Sequence, residues 1–203
     1  MEYIKHLNKD KLLAKAIKQH APFKLKKRKN VFLHLCDSIV SQQLSTTVAK
    51  VIQQRFLNIF EDTAPSPQQV LGTSIEQLRA IGLSNAKAGY VHNIARFAIE
   101  FGLDHVKLNK MNNDELMDYL VQIKGVGRWT VEMQLMFTLG REDVFAIDDL
   151  GIQQAMIGIY QLKTTDKKKL KEKMRTISEQ WSPYRTYACL HLWHWKDSMK
   201  KKS

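Results

Sequence analysis

The sequence predicts an all-α fold, and three observations carry that prediction. Apolar residues recur at helical spacing along most of the chain, strand-like alternation is weak, and capping residues stand before most periodic segments. Four prolines and nine glycines in 203 residues leave long stretches uninterrupted. In order, residues 10–19 read as a short amphipathic helix, and residues 21–30, APFKLKKRKN, as a basic connector. Residues 31–40 are strongly apolar and predicted buried, with Ser41, Gln42 and Gln43 at their end. Ser45 can cap a helix running to about Phe60. Ser66-Pro67 and Ser182-Pro183 each place a hydroxyl before a proline. A first-turn proline lacks only an N–H that has no helical acceptor, so both pairs mark predicted helix starts. Ser74 and Gln77 have capping-box spacing, and a long helix over 85–101 ends at Gly102. Leu78 to Ser84 faintly echoes a second helix–turn–helix junction. Further helices are predicted at 113–122, 128–139, 149–161, 166–180 and 183–196, followed by a frayed basic tail, Lys200, Lys201 and Lys202.

With 44% apolar residues the chain can bury a core as one domain or two small lobes. No proline- or glycine-rich linker separates such lobes. The net charge of +12 predicts an acidic partner, nucleic acid first. Two distant cysteines, Cys36 and Cys189, give neither a zinc nor an iron–sulfur pattern, nor a disulfide framework. A reduced, intracellular setting is expected. The opening MEYIKHLNKDKL has no apolar leader core, and no run approaches the ~20 apolar residues of a membrane span. His191 and His194 are three apart but lack a spaced acidic or cysteine partner, so no metal is expected. Lys167, Lys168, Lys169 and Lys171 read as a solvated helix face.

The chemistry concentrates in LVQIKGVGRWTVEMQLMFTLGREDVFAIDDLGIQQA, residues 120–155. Gly125 and Gly127 form a glycine hairpin between two apolar-periodic segments. Glycine reaches backbone angles closed to other residues and lets a phosphate approach the main chain. The next helix opens near Arg128, where its N–H groups and dipole favour an anion. Lys124 and Arg128 add positive charge at the same place. Such contacts position DNA without reading its sequence. About twenty residues on, Asp148 and Asp149 stand where a new helix begins. Taken alone, either is an ordinary N-cap.

The hairpin followed by an aspartate resembles the helix–hairpin–helix base-excision DNA glycosylases, most closely their DNA-3-methyladenine glycosylase II type in its shorter, all-helical form. SIVSQQLSTTVAKVIQQRF at 38–56, IGLSNAKAGYVHNIA at 81–95 and SPYRTYACLHLWHW at 182–195 extend the likeness over most of residues 31–196. It implies two lobes, 31–113 and 1–30 with 114–203, and an active-site cleft between them. It assigns catalysis to the second acidic position, Asp149, with Asp148 as a cap or support. The family's loop proline is replaced here by Ala146-Ile147. Lyase members carry a nucleophilic lysine after the hairpin, where this chain has Trp129, so a monofunctional enzyme without cofactor is implied.

The resemblance also implies an aromatic pocket. Trp129 and Met133 share a helix face at i,i+4, Trp193 matches another pocket aromatic, and Leu150 lines the same space. Gln42, Gln43 and Leu44 match the segment that fills the gap left by a flipped nucleotide, and the residues leave open which one inserts. Ser84 and Lys87 are expected at phosphates, with Lys124, Gly125, Gly127, Arg128 and Thr130. Arg185 is expected to tie the lobes together, and Trp181, Tyr184 and Trp195 to be structural. The expected activity is release of 3-methyladenine and 7-methylguanine from double-stranded DNA by a monomer, away from any membrane. A non-enzymatic damage-sensing module and a glycosylase for another lesion are the alternatives.

Overall fold

The computed structural model describes residues 1–18, 20–61 and 63–200. Its described elements are all helices: α1 (Glu2–Leu7), α2 (Leu13–Ile17), α3 (Val31–Ser41), α4 (Thr46–Asn58), α5 (Pro67–Gly72), α6 (Ile75–Ala80), α7 (Asn85–Glu100), α8 (His105–Asn109), α9 (Asn113–Leu120), α10 (Arg128–Phe137), α11 (Leu150–Tyr160), α12 (Lys167–Glu179) and α13 (Arg185–Lys200). The two not anticipated, α1 and α8, span six and five residues, too short for a helical period to show. The helix expected over 10–19 is shorter, Leu13–Ile17, and Gln19 lies outside the described residues. So do Lys201 and Lys202 of the expected tail. No described helix is long and apolar enough to cross a membrane.

The chain forms two compact units, Met1–Lys26 with Leu135–Ser203, and Lys27–Gln134. The division falls inside α10, so the glycine hairpin clusters with the central helices rather than with the acidic pair. Local bonds explain this grouping. Gln134 donates to the His34 carbonyl at 3.1 Å and to Ser38 Oγ at 2.7 Å, and Asn93 donates to the Lys124 carbonyl at 3.1 Å.

In the central unit α7 packs against α3, α5 and α6. Leu35, Ile39, Phe56, Leu78, Val91, Ile94, Leu116 and Leu120 are fully buried. Ser66 and Gln69, Ser74 and Gln77, and Asn112 and Glu115 close capping boxes, so the helix starts read at Ser66 and Ser74 are present.

In the other unit α11 and α13 pack together, and α2 packs on α13. Tyr3 stacks on Tyr187 with centroids 4.0 Å apart, and its hydroxyl accepts from the Phe23 amide at 2.7 Å. His191 is fully buried beside Phe23. Burial first, then His20 and His194, push its imidazole down to about 4, so it is neutral at pH 7. Asp10, buried, is the unit's polar hub. Its Oδ1 accepts from the amides of Leu12 and Leu13, and its Oδ2 from Tyr160 Oη (2.6 Å), Trp181 Nε1 (3.0 Å) and Gln180 Nε2. Trp181 is thus structural, as expected. Asp10→Ala strands several buried donors, each bond to a charged group being worth about 1.5–3 kcal/mol. The expected loss is on the order of 3 kcal/mol or more, read as an earlier denaturant midpoint; a midpoint within error of wild type would remove Asp10 from this role.

Candidate functional site

The hairpin is built by contact as well as by conformation. Gly125 has φ +105, and a Cβ there would lie 2.2 Å from Tyr90 Cγ. Ile123 and Val126 anchor the turn in the core. Gly127 differs, because a Cβ there would meet nothing within 4 Å. The fold itself does not require glycine at 127; a ligand approaching the main chain would. Lys124, Arg128 and Gly127 are exposed, and the first-turn amides of α10 point out of its N-terminus at this spot.

Thr130 corrects the expectation that it meets DNA through its side chain. It is 2% exposed, and its hydroxyl accepts a long 3.4 Å bond from Gln42 Nε2. Lys87 corrects another. Its ammonium donates to the carbonyls of Val40 (2.8 Å) and Gln42 (2.7 Å), the open C-terminal end of α3, and burial lowers its pKa. It braces the turn after α3 instead of facing a phosphate. That turn places Gln43 in the left-handed region, φ +58, and presents Leu44, 36% exposed. Ser84 is exposed and caps α7 through the Lys87 amide.

Along α10, Trp129, Met133 and Phe137 follow one another at i, i+4 and i+8 and share a face. Trp129 is 39% and Phe137 40% exposed, unusual for large apolar side chains, and Met133 is half-buried. Phe137 escaped sequence reading, although its spacing from Trp129 and Met133 is the signal that finds it.

Asp149 is the N-cap of α11. Its Oδ1 accepts from the Ile152 amide at 2.9 Å and from the Trp193 indole N–H at 2.8 Å. The two donors hold the carboxylate in one orientation. Trp193, expected as a pocket wall, thus orients this carboxylate, and its ring lies 5.9 Å from that of Phe137. Gly151 makes this possible, since a Cβ there would lie 2.9 Å from Asp149 Oδ1 and 3.0 Å from Trp193 Cδ1. Leu150 is 65% exposed beside them. Asp148 is not the cap. It is exposed and paired with Lys171, Oδ1 to Nζ 2.5 Å.

The loop leading to Asp149 lies along α13. Arg185 grips Asp143 with two bonds, Nε to Oδ1 at 2.6 Å and Nη2 to Oδ2 at 2.8 Å, and Ser182 Oγ donates to the same carboxylate. Ser182 is thus not the cap expected of it, and the helix starts at Arg185. Arg185 ties the loop to α13 within one unit, where a link between lobes was expected. Burial would raise the Asp143 carboxyl, but the Arg185 and Ser182 bonds outweigh it and hold it below its ordinary range. The clamp is therefore intact at neutral pH and is lost only as pH falls through that depressed value. The Thr186 amide donates to the Glu142 carbonyl, and Thr186 Oγ1 donates to the Arg141 carbonyl and accepts from the Val144 amide. Tyr187 Oη adds a bond to Glu142. With Ala146 and Ile147 buried, these bonds fix a loop that lacks the family proline. Among the described residues no three His, Cys, Asp or Glu side chains converge as a metal site.

A family model for the HhH-GPD superfamily base excision DNA repair protein matches residues 36–182, from α3 through the hairpin and Asp149 to the end of α12. The chain belongs to this superfamily. Its HhH-GPD relatives include DNA-3-methyladenine glycosylase 1 of Schizosaccharomyces pombe, 35% identical over 188 residues, which cover 90% of this chain and 80% of the relative. A Bacillus subtilis relative is 32% identical over 194 residues, and the match covers 93% of this chain and 66% of the relative. The fold is close to that of the DNA-3-methyladenine glycosidase of Bacillus halodurans, with TM-score 0.85 and 32% identity over 100% of this chain and 92% of that one. It is also close to the S. pombe 3-methyladenine DNA glycosylase in complex with abasic DNA, with TM-score 0.82 and 32% identity over 95% of each chain. The all-helical fold read from helical period, and the family read from the hairpin and the downstream aspartate, are thus the observed ones.

Proposed function

We propose that this chain is a monofunctional DNA glycosylase that hydrolyses the N-glycosidic bond of alkylated purines, 3-methyladenine and 7-methylguanine, in duplex DNA. The observation that carries this reading is Asp149, held through Oδ1 by Trp193 and Ile152 in a chain of the HhH-GPD superfamily. An alkylated purine already carries positive charge and leaves the sugar without a strong general acid. An oriented carboxylate stabilises the oxocarbenium-like sugar that remains and can orient or deprotonate the attacking water. Trp129 and Met133 in the central unit, and Leu150 and the Trp193 ring in the other, are each apolar or aromatic surface that suits an extruded cationic base, cation–π attraction being worth roughly 0.5–2 kcal/mol per contact.

Gly125, Gly127, Lys124 and Arg128 hold DNA phosphates, with Ser84 at a second one. Leu44 fills the gap in the stack, because it is the exposed apolar residue of a turn in which the Gln42 carbonyl is bound by Lys87. In this reading the functional lobes are 31–113 and 1–30 with 114–203, a division by role that counts the hairpin with Asp149 although it packs in the central compact unit. A protein with this activity works wherever the cell keeps its DNA, in a bacterial cytoplasm or a nucleus.

The test is single-turnover base release from matched duplexes. The expected order is 3-methyladenine and 7-methylguanine well ahead of hypoxanthine and 8-oxoguanine. Borohydride should trap no covalent adduct, since Trp129 offers no amine for a Schiff base. Faster release of a neutral base than of 3-methyladenine overturns the substrate class, and a trapped adduct overturns the monofunctional assignment.

A further inference from the structure

We infer that α12 carries a second phosphate-binding surface, a cationic row that takes the backbone of duplex DNA beside the Asp148–Asp149 turn. The helix buries Leu170, Met174 and Ser178, which fixes the faces left to its charged residues. Lys167, Lys171 and Arg175 stand at i, i+4 and i+8 and so form one row, with Lys168 at its edge. The row lies on the acidic-pair side of the helix, because its middle member, Lys171, is the one paired with Asp148. Lys167, Lys168 and Arg175 are exposed. Lys169 and Lys173 leave the helix on its other flank, and Glu172 and Glu179 lie beyond Lys168 and Arg175.

An exposed cationic row two turns long suits a polyanion with regularly spaced charges. DNA is the occupant chosen because the row's middle member, Lys171, is paired with Asp148, the neighbour of the carboxylate assigned to act on DNA. Two unshielded carboxylates there would repel the phosphates flanking the reacting nucleotide. Lys171 neutralises Asp148, and Lys167 and Arg175 on either side of it turn the local field attractive. The sequence offers these lysines as a solvated face; the Lys171–Asp148 pair gives the face a direction.

The inference rests on the proposed glycosylase reading, and the test separates the two. Affinity for undamaged duplex is measured against salt for wild type, for Lys167→Gln/Arg175→Gln, and for Lys169→Gln/Lys173→Gln, which removes equal charge from the other flank of the same helix. Each lost phosphate contact lowers the slope of log K against log salt by about 0.9. The row variant should lose roughly 2 units of slope, and the flank variant should keep the wild-type slope. Charge reversal, Lys167→Glu/Arg175→Glu, should weaken binding further. Equal slopes for the two neutralised variants, or a charge reversal without effect, overturn the surface. If wild type releases no alkylated purine while the slopes separate as stated, the glycosylase reading fails and the surface stands.

Discussion

Asp149→Asn should lower single-turnover release of 3-methyladenine by at least about 10²–10³-fold, the usual cost of removing one electrostatic group that stabilises a transition state. The substitution isolates charge from structure. Asparagine is as good an N-cap as aspartate, and its side-chain oxygen can still accept from the Ile152 amide and the Trp193 indole, the two donors that Oδ1 serves. Thermal stability and affinity for undamaged duplex should therefore stay near wild type. Trp193→Phe is the graded companion: the carboxylate charge remains while one of its orienting bonds goes, so the rate should fall by less. Asp148→Asn removes the partner of Lys171 and should cost far less still. If Asp148→Asn is the dead variant and Asp149→Asn is active, catalysis belongs to the neighbouring residue and the role of Trp193 falls with it.

The two hairpin glycines should behave oppositely. Gly125→Ala forces a Cβ to within 2.2 Å of Tyr90 Cγ and does so at φ +105. Overpacking costs about 1–3 kcal/mol and a left-handed non-glycine residue about 1–2 kcal/mol. A loss on the order of 3 kcal/mol is expected, with a fall in Tm of roughly 6–12 °C and loss of DNA binding as the turn rearranges. Gly127→Ala places its Cβ in open space and should leave Tm unchanged or slightly raised, since restricting the unfolded chain adds up to about 0.4–1 kcal/mol of stability. Its DNA affinity should nevertheless drop, because the added methyl stands where a phosphate approaches. Calorimetry and duplex titration of the two variants decide this. Equal stability in both would show that Tyr90 yields easily, and undiminished binding by Gly127→Ala would show that no phosphate approaches residue 127.

Much of this was legible in the sequence, because the features concerned are local. Helical period and capping at Ser45, Ser66 and Ser74 depend on residues within a few positions of one another, and these helices start where they were read. The failures are also physical. Ser182 has the chemistry of a cap, but a carboxylate thirty-nine positions earlier in the chain, Asp143, takes its hydroxyl. Lys87 has the charge for a phosphate, but the carbonyls at the end of α3 lie within reach of it. Each side chain had a nearby meaning and a distant partner, and spacing reveals only the first.

By itself, the sequence determined that the chain is all-helical, basic, and carries a glycine hairpin ahead of an acidic pair, since periodicity, net charge and short motifs are properties of neighbouring residues. Only the tertiary structure decided which use each polar group is put to. It made Asp149 the cap and Asp148 the partner of Lys171, and it gave Trp193 a bond to the carboxylate that no spacing announces. It also distinguished Gly125, which Tyr90 leaves no room to replace, from Gly127, which nothing in the chain crowds. A hydrogen bond between residues forty-four apart, or a missing Cβ that makes room for a ring from another helix, comes into being only when packing brings distant segments together.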